Sequence, residues 1–285
     1  MPEKDKPLPV SSSEPPEFAP EQEAFFRDVL RLMNQHEVPY VVSGAFALHE
    51  HTGIWRDTKD MDLFLTAEAA TQALKVLEEE GYETEITDPV WLAKAWKGEF
   101  FVDLITGMSN AVITVDQGWI DRASNAHVLE VPTRVLAAEE LLASKLFVDF
   151  RERFDGADVV HIIYGTRGRL DWDRILMLVN EHWEILFWSL VLFRYVYPSE
   201  SDLVPRSLWQ KLLKDFQNSI ASPNQRAPFR GALLDERMFA IDMKEWGLSN
   251  LANEYRRRRS GQRIRAPKLT RSKPRPQKED VDVAA

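Results

Sequence analysis

An aspartate in the middle of an apolar run, Phe100-Phe101-Val102-Asp103-Leu104-Ile105, is what most limits the folds open to this chain. The run reads as a buried strand, and an ionised carboxylate is costly to bury unless something neutralises it. Two more aspartates stand two apart in Arg56-Asp57-Thr58-Lys59-Asp60-Met61-Asp62-Leu63-Phe64-Leu65, a second strand pattern. Side chains two apart on a strand share a face, so Asp60 and Asp62 stand side by side. Asp103, on a neighbouring strand, would join them about 4.8 Å across the sheet. Three carboxylates this close repel one another and cannot all stay ionised without cations. Hard divalent ions, Mg²⁺ or Mn²⁺, suit such oxygen ligands, and a pair ~3.5–4 Å apart would clamp the attacking and leaving oxygens of a phosphoryl transfer.

The segment ahead of these strands fits the same chemistry. Val41-Val42-Ser43-Gly44 reads as a strand ending in a tight turn. Gly44 lets the backbone come close to a phosphate, and Ser43 can donate a hydrogen bond. Ala45-Phe46-Ala47-Leu48 would open a helix whose N-terminus faces the anion. An isolated D-x-D is usually a solvated edge or turn, and a Ser-Gly turn alone is as weak. Their conjunction with Asp103 is what is specific.

Val42-Ser43-Gly44, Arg56, Thr58, Asp60, Asp62 and Asp103 together resemble the signature of the DNA-polymerase-β-like nucleotidyltransferase superfamily. The likeness covers about residues 22–165 and is closer to small bacterial nucleotidyltransferases, including the toxin components of type IV toxin–antitoxin systems. In those, a helix with a lysine and a D-x-x-D pair follow the catalytic domain. Here they correspond to Leu141–Leu146 with Lys145, then Asp155 and Asp158. The chain departs in having Ser43-Gly44 where many members have two glycines, and in the Gly156 that follows Asp155. The resemblance implies that Lys145 reaches a triphosphate, with Arg56 as a second phosphate contact. Asp155 and Asp158 would orient Lys145 or cap the next helix.

Composition sets the boundaries. The chain has 285 residues and 44% apolar content, enough for two modest domains. Residues 1–20, with six prolines, read as a disordered arm and not a signal peptide. The absence of cysteine fits a reducing, cytoplasmic setting. The longest apolar run, Ile185–Phe193, falls short of the ~20 residues of a membrane span, so a buried helix is expected there and no membrane contact. Arg256–Lys278 holds eleven Lys/Arg and no acid, leaving 25 basic against 45 acidic residues elsewhere. It reads as a disordered basic tail over 256–285, solvated or an arm for RNA. It has no aromatic residue on which a base could stack.

The periodicities predict an α/β (α+β) chain. Helices are expected at 22–36, 46–51 and 67–80, and strands at 38–43, 61–65, 82–86, 99–106 and within 126–131. From residue 133 the pattern is helical: 135–152, 155–164, 171–182, 184–197, 205–220 and 235–258. A small mixed-sheet catalytic domain (21–132) is therefore expected before a helical domain (133–255), with the boundary near Pro132. Two histidines two apart, His49 and His51, do not share a helix face and so do not read as a zinc site. Trp91 and Trp96, between two strands, could border the cleft.

The expectation is an Mg²⁺-dependent nucleotidyltransferase that binds an NTP such as ATP. Asp60, Asp62 and Asp103 would act as metal ligands and catalytic groups, with Asp103 as base. Ser43, Gly44, Arg56, Thr58, Lys145, Asp155 and Asp158 would line the nucleotide site. The acceptor (RNA, a small molecule or a protein) is left open, and a non-catalytic binding protein on the same fold is the rival reading.

Overall fold

Phe25, Phe26, Val29, Leu30 and Met33 recur at helical spacing and are all fully buried in α1 (Pro20–Gln35). The structure is a computed structural model that describes residues 14–150 and 153–267. After α1 come β1 (Val41–Val42), α2 (Gly44–Thr52), β2 (Asp60–Phe64), α3 (Ala67–Glu79), β3 (Glu83–Asp88), β4 (Leu92–Lys97) and β5 (Phe100–Ile105). Then follow α4 (Gln117–Arg122), β6 (Ser124–Val128), β7 (Val131–Val135), α5 (Ala138–Lys145) and a short hairpin, β8 (Asp149–Phe150) with β9 (Arg153–Phe154). The remainder is α6 (Gly156–Gly165), α7 (Trp172–Val179), α8 (Trp183–Val196), α9 (Arg206–Ala221), α10 (Gly231–Leu234), α11 (Ala240–Lys244) and α12 (Leu251–Arg258).

Seven strands form one mixed sheet in the order β3-β4-β5-β2-β1-β7-β6. The chain is α/β, as expected, but the strand expected at 38–43 shrinks to two residues, wedged between antiparallel β2 and parallel β7. The strand expected within 126–131 is instead a hairpin, β6–β7. Its turn residues, Leu129 and Glu130, both sit at positive φ (49° and 64°). No Gly or Asn marks that turn, so nothing local announced it. The boundary expected near Pro132 falls inside β7. Proline is tolerated because β1 reaches β7 only at Val135. One buried core runs from Phe25 to Ile264, through both sheet and helices.

Four more differences bear on the site. The helix expected to run to 152 stops at Lys145, and the chain doubles back through β8–β9, with Asp155 donating its N–H to Val148 O at 3.0 Å. The helix expected at 235–258 is two shorter pieces, α11 and α12. The arm expected at 1–20 contributes Phe18 to the core, between Phe26 and Phe46. The basic tail expected from 256 also starts as folded chain. Arg256 binds Asp88 Oδ2 at 2.7 Å, and Arg259 donates to Thr114 Oγ1 at 2.8 Å. Ile264 is buried at 3% exposure. The rest of the proposed RNA arm lies outside the described residues.

Trp172–Val196 has the length and composition of a membrane span. It is not one helix. Asn180 (φ 45°, ψ −121°) breaks it, and Ile175, Val179, Leu186, Leu190 and Phe193 on its inner side are fully buried in the core.

Candidate active site

β2 and β5 run parallel and in register, with Asp62 opposite Asp103 and Asp60 opposite Phe101. Alternation sends Met61, Leu63, Val102 and Leu104 into the core, each at 0% exposure, and turns the three aspartates to the opposite face. One carboxylate oxygen from each of Asp60, Asp62 and Asp103 lies within 4.8 Å of the others. Burial, and then the charges of Asp60 and Asp103, push Asp62 up to about 7 against a usual 3.8. Lys145 and Arg153 offset only part of this. Asp103 is also raised, chiefly by burial, although Lys94 pulls it back.

The turn after β1 builds the floor. Gly44 adopts φ 59°, in the left-handed region, and a Cβ there would collide with Asp62 Oδ2. The residue is therefore confined to glycine twice over. Ser43 is buried at 1% exposure, and its N–H is used on Asp62 O at 2.9 Å. That amide is part of the sheet and is not available to a phosphate, so the free amides here belong to the first turn of α2. Thr58 is likewise occupied: its hydroxyl donates to Asp60 Oδ1 and to Asp60 O, both at 3.0 Å. It holds the Asp60 carboxylate in place.

Cations stand on the other wall. Lys145 Nζ lies 2.8 Å from Asp155 Oδ2 and 3.0 Å from Asp158 Oδ2. Arg56 Nε donates to Asp158 Oδ1 at 3.0 Å, and its Nη2 meets His161 Nδ1 at 3.0 Å. Burial and the Arg56 charge hold the His161 pKa down, which fits a neutral ring accepting from the guanidinium. Of the two roles expected for Asp155 and Asp158, the structure has both orienting Lys145. Asp155 sits at the N-cap of α6, but its side chain makes no cap hydrogen bond. Burial alone would raise Asp155, but Arg153 and Lys145 outweigh it and bring its pKa below the usual range. Every residue expected in the site lines one cleft of about 600 Å³, and Trp91 joins them. Trp96 does not; it packs on Phe101 at 4.6 Å between ring centroids. His49 stacks on Trp55, and His51 bonds Leu136 O, away from the aspartates.

Three residues escaped the sequence. Lys94 faces Asp103 across β4–β5, and its ammonium lies 2.5 Å from Asp103 Oδ1 and 3.9 Å from the Phe101 ring centroid. Arg153 forks onto Asp155 at 2.9 and 3.0 Å. His161 completes the Arg56 contact. For Lys94, alternation along β4 was the only available signal, and it could not say which strand lay alongside.

A mixed sheet that presents three aspartates at the mouth of a cation-walled cleft is the arrangement expected of the polymerase-β-like nucleotidyltransferases. The profile of a family described as nucleotidyl transferase of unknown function (DUF2204) matches residues 23–184, more than half of the chain. The chain belongs to that family and is a nucleotidyltransferase. No curated protein matches it. Among solved structures it is similar to lincomycin-bound LnuA, a lincosamide antibiotic adenylyltransferase (17% identity, TM-score 0.37, covering 51% of this chain and 98% of that one). It is also similar to an antigenic nucleotidyltransferase-like protein from Paracoccidioides brasiliensis (16%, TM-score 0.43, 66% and 95%). A third is ANT(2")-Ia in complex with adenylyl-2"-tobramycin (15%, TM-score 0.37, 62% and 99%).

Proposed function

We propose that this protein transfers a nucleoside monophosphate from an NTP to an acceptor hydroxyl in a divalent-metal-dependent reaction, with Mg²⁺ as the ion. The observation that carries this is the register of β2 and β5, which packs three carboxylates within 4.8 Å beside Lys145. The donor set fits the metal: all oxygen, all hard, and so buried and mutually repelling that the Asp62 pKa is pushed up to about 7. Ions held by Asp60, Asp62 and Asp103 would neutralise this cluster and polarise the phosphoryl oxygens. Lys145, Arg56 and Arg153 then face the triphosphate, their positions fixed by Asp155 and Asp158. The free amides at the start of α2 face the same anion. The acceptor oxygen attacks the α-phosphorus, the bond to the bridging oxygen breaks, and pyrophosphate leaves with that electron pair. The acceptor's proton passes to Asp103.

Mg²⁺ with ATP is expected to raise the melting temperature, since a ligand at 100 times its Kd adds about 2.7 kcal/mol to the native state. A melt indifferent to both would favour the non-catalytic rival.

Lys94 gives a second handle. It pulls the Asp103 pKa back part of the way against burial and against Asp60. In Lys94→Met the Asp103 pKa rises further. A base works only when deprotonated, so the acid limb of the pH–rate profile should move to higher pH, with transfer on that limb reduced. An unmoved limb would take the base role away from Asp103.

A further inference from the structure

Beyond the nucleotide cleft the structure holds a second cavity, of about 750 Å³. The two cavities share Trp91, Ser109, Asn110 and Arg153, so they are two chambers of one cleft. The inner chamber holds the aspartates; the outer one is walled by α10, α12 and the chain between them, through Leu234, Met238 and Asn253. This wall lies outside residues 23–184, the part matched by the family.

The wall is tied to the catalytic sheet at many points. Asn110 Nδ2 donates to Leu233 O at 2.9 Å, a buried bond. Arg256 donates to Ser109 O at 3.3 Å and to Asp88 Oδ2 at 2.7 Å. Arg259 donates to Val112 O at 3.0 Å and to Thr114 Oγ1 at 2.8 Å. These contacts grip the loop after β5, where Ala111 sits at φ 60°, a conformation alanine adopts only when its surroundings impose it. At the far end Tyr255 donates to Glu181 and contacts His182 Nε2 at 2.9 Å, anchoring α12 to the helical half. Residues 231–265 are thus a strap, stretched from the helices to the β3–β4 side of the sheet, that fixes the loop carrying Ser109 and Asn110.

We propose that the outer chamber is the acceptor site, and that the strap makes it a pocket for a hydroxylated small molecule. The proposal rests on the nucleotidyltransferase reading of the inner chamber. A volume of about 750 Å³ falls within the ~300–1,000 Å³ typical of drug-sized ligands. Trp91, Leu234 and Met238 offer an apolar face, while Ser109, Asn110 and Asn253 offer hydrogen bonds for orientation. The chamber sets Asp88, Asp235 and Glu236 among Arg153, Arg237 and Arg256, so it is not a continuous cationic track for a phosphate backbone. A hydroxyl of a ligand seated here, passing Trp91, enters the chamber that holds Asp103.

The test is incubation of the full chain with Mg²⁺ and α-labelled ATP, separately with the deproteinised small-molecule fraction of a cell extract, with total RNA and with the protein fraction. Label is expected in the small-molecule fraction. Met238→Trp and Asn253→Trp, both at exposed positions, fill the outer chamber without touching the aspartates. Each is expected to cut that labelling at least about tenfold and to leave the Mg²⁺–ATP rise in melting temperature as in wild type. Label in RNA or protein instead, or variants that label as wild type does, would overturn the acceptor pocket alone. A wild-type melt that ignores Mg²⁺–ATP would remove the nucleotide site, and the acceptor proposal with it.

Discussion

Asp62→Asn is expected to abolish transfer while making the metal-free protein more stable at neutral pH. The loss should be at least about 10³-fold, because the residue is placed to hold ions worth several kcal/mol of charge stabilisation. The gain follows from the Asp62 pKa, about 7 in the folded chain against 3.8 as the ordinary value. The folded state then binds a proton that the unfolded state has released. By linkage, the stability of the metal-free wild type falls as pH rises between these two values and stays low above about 7. At 1.36 kcal/mol per pKa unit, the fall attributable to Asp62 is at most about 4 kcal/mol. Asparagine has no charge to bury or to repel Asp60 and Asp103, so the variant lacks this fall. Urea titrations of chelator-treated wild type and variant from about pH 4 to pH 8 measure it. Parallel curves would mean that the carboxylates do not crowd one another as the structure has them, and an active variant would remove the metal site.

Gly44→Ala should be nearly as damaging, through a different cause. The new methyl group would overlap Asp62 Oδ2, so the carboxylate has to move. A displacement of about 1 Å in a catalytic group can cost ~100-fold in rate. Alanine at φ 59° adds left-handed backbone strain of about 1–2 kcal/mol. Gly81→Ala separates the two effects. Gly81 sits at φ 89°, and a methyl group there would meet nothing within 4 Å. It should lose stability and keep transfer. Equal activity in the two variants would deny the contact between the β1 turn and Asp62.

Which residues gather in the cleft was largely legible in the sequence. The D-x-D of Asp60 and Asp62, and the lone Asp103 in FFVDLI, are read by a period of two, a local property of an extended chain. The turn at Gly44 and the α1 stripe are local as well. The partners of those residues were not local. Ser43 and Thr58 line the cleft as expected, but the Ser43 N–H is taken by Asp62 O and the Thr58 hydroxyl by Asp60, because the β1–β2 pairing and the bend before β2 place them there. Lys145 was expected on a helix running to 152; the helix stops at that residue, and β8–β9 bring Asp155 back to it. Basic residues after 256 read as a free tail, because composition reports charge and not where the opposite charge stands; Asp88, 168 positions away in sequence, decides the place of Arg256. By itself, then, the sequence determined the three acids, their shared strand face and the class of chemistry. Only the tertiary structure decided what neutralises Asp103, what holds Lys145, and that the last helices close a second chamber beside the aspartates. Those are contacts between residues far apart in the chain, and their register depends on how whole elements pack rather than on any local periodicity.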